Sequence, residues 1–144
     1  MGIVRHPNWE LAERLLGAVV PGAKEFRPDS ILAAGQPDGV TFPIYEPDPP
    51  AVTEELIAAC AGRLAGQLVV VTGESHGGLG PFFVDADRFD EFARGYPDEV
   101  DAALVSGDTI IVSPATGTVI VVHHSEFLFV VEGNVASWPE DPRD

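Results

Sequence analysis

From Trp9 onward the apolar positions Trp9, Ala12, Leu15, Leu16 and Val19 recur at helical spacing. Asn8 stands where an N-cap belongs, and Pro21-Gly22 closes the run, so a first helix is predicted there. PDSILAAGQPDG (28–39) is short and broken and predicts no more than a helical turn. GVTFPIY (39–45) reads as a strand that Pro43 confines to a sheet edge. After the stiff connector EPDPP comes VTEELIAACAGRLAG (52–66), a second helix with Thr53 as N-cap and Gly66 at its end. Val52 and Ile57 are placed to staple its start, and Leu56, Ile57, Cys60 and Leu64 form its apolar face.

QLVVVT (67–72) is apolar at consecutive positions, as a central strand covered on both faces would be. With the preceding strand and helix it is expected to form a crossover joining two parallel strands. A short apolar piece, PFFV (81–84), leads to Asp85, an N-cap for a helix over ADRFDEFARG, with Val84 stapled to Phe89 and with Phe89, Phe92 and Ala93 inward. PDEVDAALVSG (97–107) predicts a further short helix with Val100, Ala103 and Leu104 inward. The last third changes period: DTIIVS, TVIVVH and FLFVVE read as three strands. PATG supplies the first turn of this meander, whereas the second, near HHSE, lacks glycine. The expected fold is one α+β domain over residues 1–133, a mixed sheet ending in a three-stranded antiparallel meander with helices on at least one face. Residues 134–144 read as an extended acidic tail, anchored by Trp138.

Composition narrows the class. A chain of 144 residues, 45% hydrophobic, can bury one core without disulfides or metals. A single cysteine gives no intramolecular disulfide, and the first residues lack the apolar core of a signal peptide, so a cytoplasmic location is expected. Acids outnumber bases 23 to 8, a formal net charge of −15. Such a field repels nucleic acid and anionic membranes and favours a basic protein partner.

The sharpest chemical signal is Gly73-Glu74-Ser75-His76-Gly77, which fits the G-x-S-x-G pattern of a nucleophile elbow. It resembles the elbow of α/β-hydrolase esterases and lipases, and His123 or His124 follows in the chain order those enzymes use. An elbow must run straight into a helix, however, and Gly77, Gly78, Leu79, Gly80 and Pro81 oppose one. The loop is therefore read first as a glycine-rich connection at the end of a central strand, with Glu74, Ser75 and His76 as a ligand-loop candidate. No lysine or arginine stands near it to favour a phosphate.

A catalytic set of Ser75, His76 and His124 is retained as the alternative, as is a metal-dependent enzyme using His76, His124 and Glu126. If His123 and His124 lie in one strand they point to opposite faces and cannot share an ion. No metal and no cofactor are expected: P-loop and dinucleotide fingerprints are absent, and the calcium-loop spacing from Asp85 fails at Asp90 and Tyr96. From Asp85 to Asp108 there are eight acids but only Arg88 and Arg94 as bases. A solvated helix with Asp90–Arg94 and Glu91–Arg94 contacts accounts for part of this run. As a binding face for a basic partner it offers Asp87, Asp90, Glu91, Asp98 and Asp101.

Size, acidity and the pattern GDTIIVSPATGTVIVVHH resemble small bacterial toxin-immunity proteins of SMI1/KNR4-like character. The resemblance implies a non-enzymatic protein that neutralises a basic toxin such as a nuclease. The tryptophan and paired-glycine signatures of that group do not align in order here, so it assigns no residue.

Overall fold

A computed structural model of the chain describes residues 9–23, 25–35, 39–42, 49–100, 102, 104–105 and 108–137. The amphipathic run from Trp9 forms α1 (Trp9–Val19) and buries Ala12, Leu15, Leu16 and Val19, as its spacing predicts. The broken segment after it does better than a single turn. It forms α2 (Pro28–Gly35), started by a proline whose fixed φ suits the first helical position and seated on the sheet by Ile31. The short strand β1 (Gly39–Thr41) is at a sheet edge, while Pro43 lies outside the described residues.

Helix α3 (Pro49–Cys60) starts at the proline pair, four residues before the expected cap. Thr53 is therefore an interior, buried residue and not the N-cap. Next come β2 (Gln67–Val71), a π-type turn (Ser75–Leu79), β3 (Phe82–Asp85), a 3-10 turn (Ala86–Arg88) and α4 (Phe89–Val100). Asp85 occupies the N-cap position without a side-chain capping bond. Helix α4 passes through Pro97, where a break and a second helix were expected. Proline removes one intrahelical hydrogen bond, but Phe89, Phe92, Ala93 and Tyr96 all bury on the same side, and that packing outweighs the local penalty.

The remaining strands are β4 (Thr109–Ser113), β5 (Thr118–His123) and β6 (Phe127–Glu132), the expected antiparallel meander. Gly117, with φ +70°, completes the tight β4–β5 turn, donating to the Ser113 carbonyl at 2.9 Å. In the glycine-free β5–β6 turn it is Glu126 that takes the positive φ, +70°. Its carbonyl accepts from the Phe42 amide at 2.9 Å, which ties the turn to the end of β1.

The six strands lie in the order β1-β6-β5-β4-β2-β3. The class is α+β, with helices packed on the sheet. Every pairing is antiparallel, however, so the parallel crossover pair expected around β2 does not form. Three strands separate β1 from β2. The C-terminal hairpins, joined by short local turns, fill the places beside both.

Consecutive residues of β2 face opposite ways, and both ways lead into protein. Leu68 and Val70 join Leu56, Phe82, Phe92, Tyr96 and Ile111 in a core beneath α3 and α4. Val69 and Val71 join Leu16, Val19, Ile31, Ile110 and Val121 in a second core beneath α1 and α2. Helices thus cover both faces, which explains why β2, β4 and β5 are apolar without alternation. The chain beyond β6 begins as an extended strap: Asn134 donates to the Val19 carbonyl at 2.7 Å and Ala136 to that of Pro114 at 2.9 Å. Trp138 lies outside the described residues. Among the described residues no helix is long and apolar enough to cross a membrane.

Candidate functional site

The loop after β2 is built by a threonine and a serine three residues apart. Thr72 Oγ1 accepts from the Ser75 amide at 3.2 Å, and Ser75 Oγ accepts from the Thr72 amide at 3.0 Å. This reciprocal pair has the geometry of a capping box and starts a helical turn. The turn is brief. Gly80 bonds back five residues to the Ser75 carbonyl, and Gly78 leaves helical space at φ +126°.

The glycines after Ser75 thus allow one irregular turn and no regular helix behind the serine. Ser75 is 1% exposed, and its hydroxyl is engaged by Thr72. The neighbouring His76 turns away, with Nε2 3.2 Å from the Phe26 carbonyl and its ring stacked on Trp9 at 5.2 Å. A nucleophile elbow crowds the positions two before and two after its serine, yet a Cβ built on Gly73 or Gly77 meets nothing within 4 Å. In this arrangement Ser75 does the work of a cap.

The third member of the ligand-loop candidate, Glu74, is half-buried and accepts from the Tyr96 hydroxyl at 2.7 Å. The same hydroxyl is 2.9 Å from Thr72 Oγ1, so α4 is bonded to the loop through one buried network. Burial pushes the Tyr96 phenol well above its ordinary range, and the nearby Glu74 carboxylate pushes the same way. Ser75→Ala is expected to cost about 1–2 kcal/mol, because the buried Thr72 amide loses its acceptor. Gly73→Ala, with open space around it, is expected to stay within about 0.5 kcal/mol of the parent. Urea unfolding of both variants measures this. A fluorophosphonate that labelled Ser75 in the folded protein would contradict the capping role.

Chemistry-bearing side chains converge instead at the end of the sheet where β2 and β5 finish and β4 starts. A cleft of about 400 Å³ there is lined by Phe26, Arg27, Val71, His76, Asp108 and Ile110. It continues past Arg27 and Asp108 into a second hollow, lined also by Asp29, Ser30, His123 and His124. Asp108 Oδ1 accepts from the His124 amide at 2.8 Å and lies 2.9 Å from His124 Nδ1. His123 Nε2 is 3.7 Å from Asp29 Oδ1, and its Nδ1 accepts from the Ser125 amide at 3.0 Å.

The condition under which His123 and His124 would diverge, a shared strand, is not met. The strand ends at His123, so His124 belongs to the turn, and the two rings stack at 4.3 Å. Asp108, His123 and His124 present ligand atoms within 4.8 Å of one another, a grouping that includes neither His76 nor Glu126. His76 lies in the neighbouring cleft, and Glu126 serves the turn through its positive φ. Asp108 was read as part of an acidic run. Its placement was available from the hairpin register: Thr109 pairs with Val122, so Asp108 falls beside His123.

Of the acidic-face residues, Asp87, Asp90, Glu91 and Asp98 are exposed, and Asp101 lies outside the described residues. Arg94 does not pair along its own helix with Asp90 or Glu91. It forks onto Glu54 of α3, Nε at 2.7 Å and Nη2 at 2.9 Å, and its hydrogen bonds lower the Glu54 carboxyl below its usual range. Arg88 contacts Glu91 at 3.6 Å. Cys60 is inward as expected, and burial raises its thiol to about 12, which keeps it protonated and inert.

The chain matches no known protein-family model, and no curated protein or solved structure matches it significantly.

Proposed function

We propose that this protein is a non-enzymatic cytoplasmic binding protein whose acidic helical face engages a basic protein partner, in the manner of bacterial immunity proteins that neutralise nuclease toxins. One observation carries the reading. The outer surface of α4 and the turn before it exposes Asp87, Asp90, Glu91, Asp98 and Glu99, and α3 adds Glu54 beside them. The two arginines within this surface are already engaged by its own Glu54 and Glu91, so most of its carboxylates are available to a partner. Like charges held together on a rigid helix repel one another, and a basic surface relieves that repulsion while speeding encounter. A nuclease surface that normally grips the phosphate backbone has the matching sign. The capped, buried state of Ser75 supports the same reading, since it gives the elbow motif a structural use.

The test titrates purified nuclease toxins, any encoded near its gene among them, with the full chain at several salt concentrations. The parent protein is expected to bind tightly and block cleavage. The quintuple variant D87N/D90N/E91Q/D98N/D101N, verified as folded by circular dichroism, is expected to bind roughly a hundredfold more weakly, mostly through a slower on-rate. Undiminished affinity in that variant removes this face from the proposal. Failure of the parent to bind any such toxin removes the immunity function itself.

A further inference from the structure

We infer that Asp108, His123 and His124 form a binding site for one divalent first-row transition ion such as Zn²⁺, with Asp29 as the fourth ligand. The donor set is two imidazoles and two carboxylates, which suits zinc better than calcium or magnesium, ions that favour all-oxygen shells. The fold brings these groups together from three separate segments: the start of β4, the β5–β6 turn and the first turn of α2. Ligand atoms from Asp108, His123 and His124 already lie within 4.8 Å of one another, and Asp29 Oδ1 is 3.7 Å from His123 Nε2. Around a tetrahedral zinc, donors at about 2.1 Å from the ion are about 3.4 Å apart. The Asp108–His124 contact of 2.9 Å already approaches that spacing. Rotamer changes of His123 and of Asp29, whose side chain is 98% exposed, bring the other donors in.

The proton bookkeeping is simple. Nδ1 of His123 accepts from the Ser125 amide, so the proton of the neutral ring is on Nε2. On ion capture that proton transfers to Nδ1, where the Ser125 hydroxyl, 2.7 Å away, accepts the hydrogen bond and Nε2 becomes the ligand. At His124 the ion takes the place of the hydrogen that bridges Nδ1 to Asp108, and that proton moves through solvent to Nε2 of the exposed ring, which stays neutral. Arg27 also lines the hollow, but Glu25 lies 3.2 Å from its Nε and offsets its charge. A bound ion would fasten α2 to the sheet end and leave the acidic face on α3 and α4 untouched. The site is therefore independent of the proposed function.

The full chain, freed of metal by chelator and dialysed, is titrated with Zn²⁺ by calorimetry and with Co²⁺ by visible absorption. One ion per chain is expected, with the intense visible bands of tetrahedral cobalt, and nitrogen NMR is expected to show His123 exchanging tautomers. D108N and H124Q are each expected to weaken binding by roughly tenfold to a hundredfold, and the H123Q/H124Q pair to abolish it. E126Q and H76Q are expected to leave it unchanged. Zinc affinity that survives in H123Q/H124Q, or zinc displaced by millimolar Ca²⁺, places the ion on surface carboxylates and overturns the site. So does the absence of stoichiometric binding.

Discussion

Gly133→Ala is expected to lower the midpoint of thermal unfolding by roughly 10–15 °C, a change of about 3–5 kcal/mol for a domain of this size. Gly133 is an exposed residue in a strap, where substitution usually costs little. Its Cβ direction is nevertheless closed, because an added methyl would overlap the Val19 carbonyl oxygen at the end of α1. That oxygen cannot retreat cheaply, since it accepts from the Asn134 amide, and the Gly133 amide itself donates to Gly117 at 2.7 Å. Moving the strap aside sacrifices both bonds, about 1 kcal/mol each, in addition to overpacking strain of about 1–3 kcal/mol. Calorimetry of the variant checks this. A midpoint within about 2 °C of the parent would mean that the strap does not hold against α1 in solution.

The second large effect is expected at Tyr96. This side chain is fully buried, with Phe82 and Phe92 each 5.7 Å away ring to ring, and its hydroxyl joins Thr72 to Glu74. Tyr96→Ala is expected to cost about 3–5 kcal/mol, combining a large cavity with the loss of two hydrogen bonds. Tyr96→Phe keeps the rings packed and is expected to cost about 1–2 kcal/mol.

The phenol also carries a pH signature. Its folded pKa is raised by burial and by Glu74, so the folded state holds the proton where the unfolded chain, ionising at about 10, releases it. The stabilisation is complete below about pH 10 and declines as pH rises beyond that. Urea titrations at pH 8 and 10.5 should therefore show the parent losing more stability than Tyr96→Phe. Equal losses would show that the hydroxyl is not confined as described.

How much of this was legible beforehand depended on the range of the interactions involved. The α1 run and the three C-terminal strands were readable because apolar spacing and turn residues act over a few positions, and here tertiary packing agrees with them. Proline was a poorer guide. Pro49 starts α3 and Pro97 rides inside α4, since the first turn needs no amide there and buried Tyr96 holds the second in place. The elbow motif was discounted on its glycines, yet the role of its serine was not legible. Its residues are genuine, but Thr72, one position upstream of the motif, decides that Ser75 caps a turn. The strand end at His123 was legible from the TVIVVH run, but how the turn after it would aim His124 was not, so the stacking of the two rings could not be read from spacing.

By itself the sequence determined α1, the strands of the C-terminal meander, most of the inward residues and the acidic surface, because each follows from local periodicity or composition, whereas the extents of α2, α3 and α4 were set by packing. Only the tertiary structure decided which strands are neighbours, that the sheet is antiparallel throughout, and that α2, β4 and the β5–β6 turn meet at one cleft. Such meetings depend on how separate apolar faces are buried together, a property of the whole chain that no short window contains.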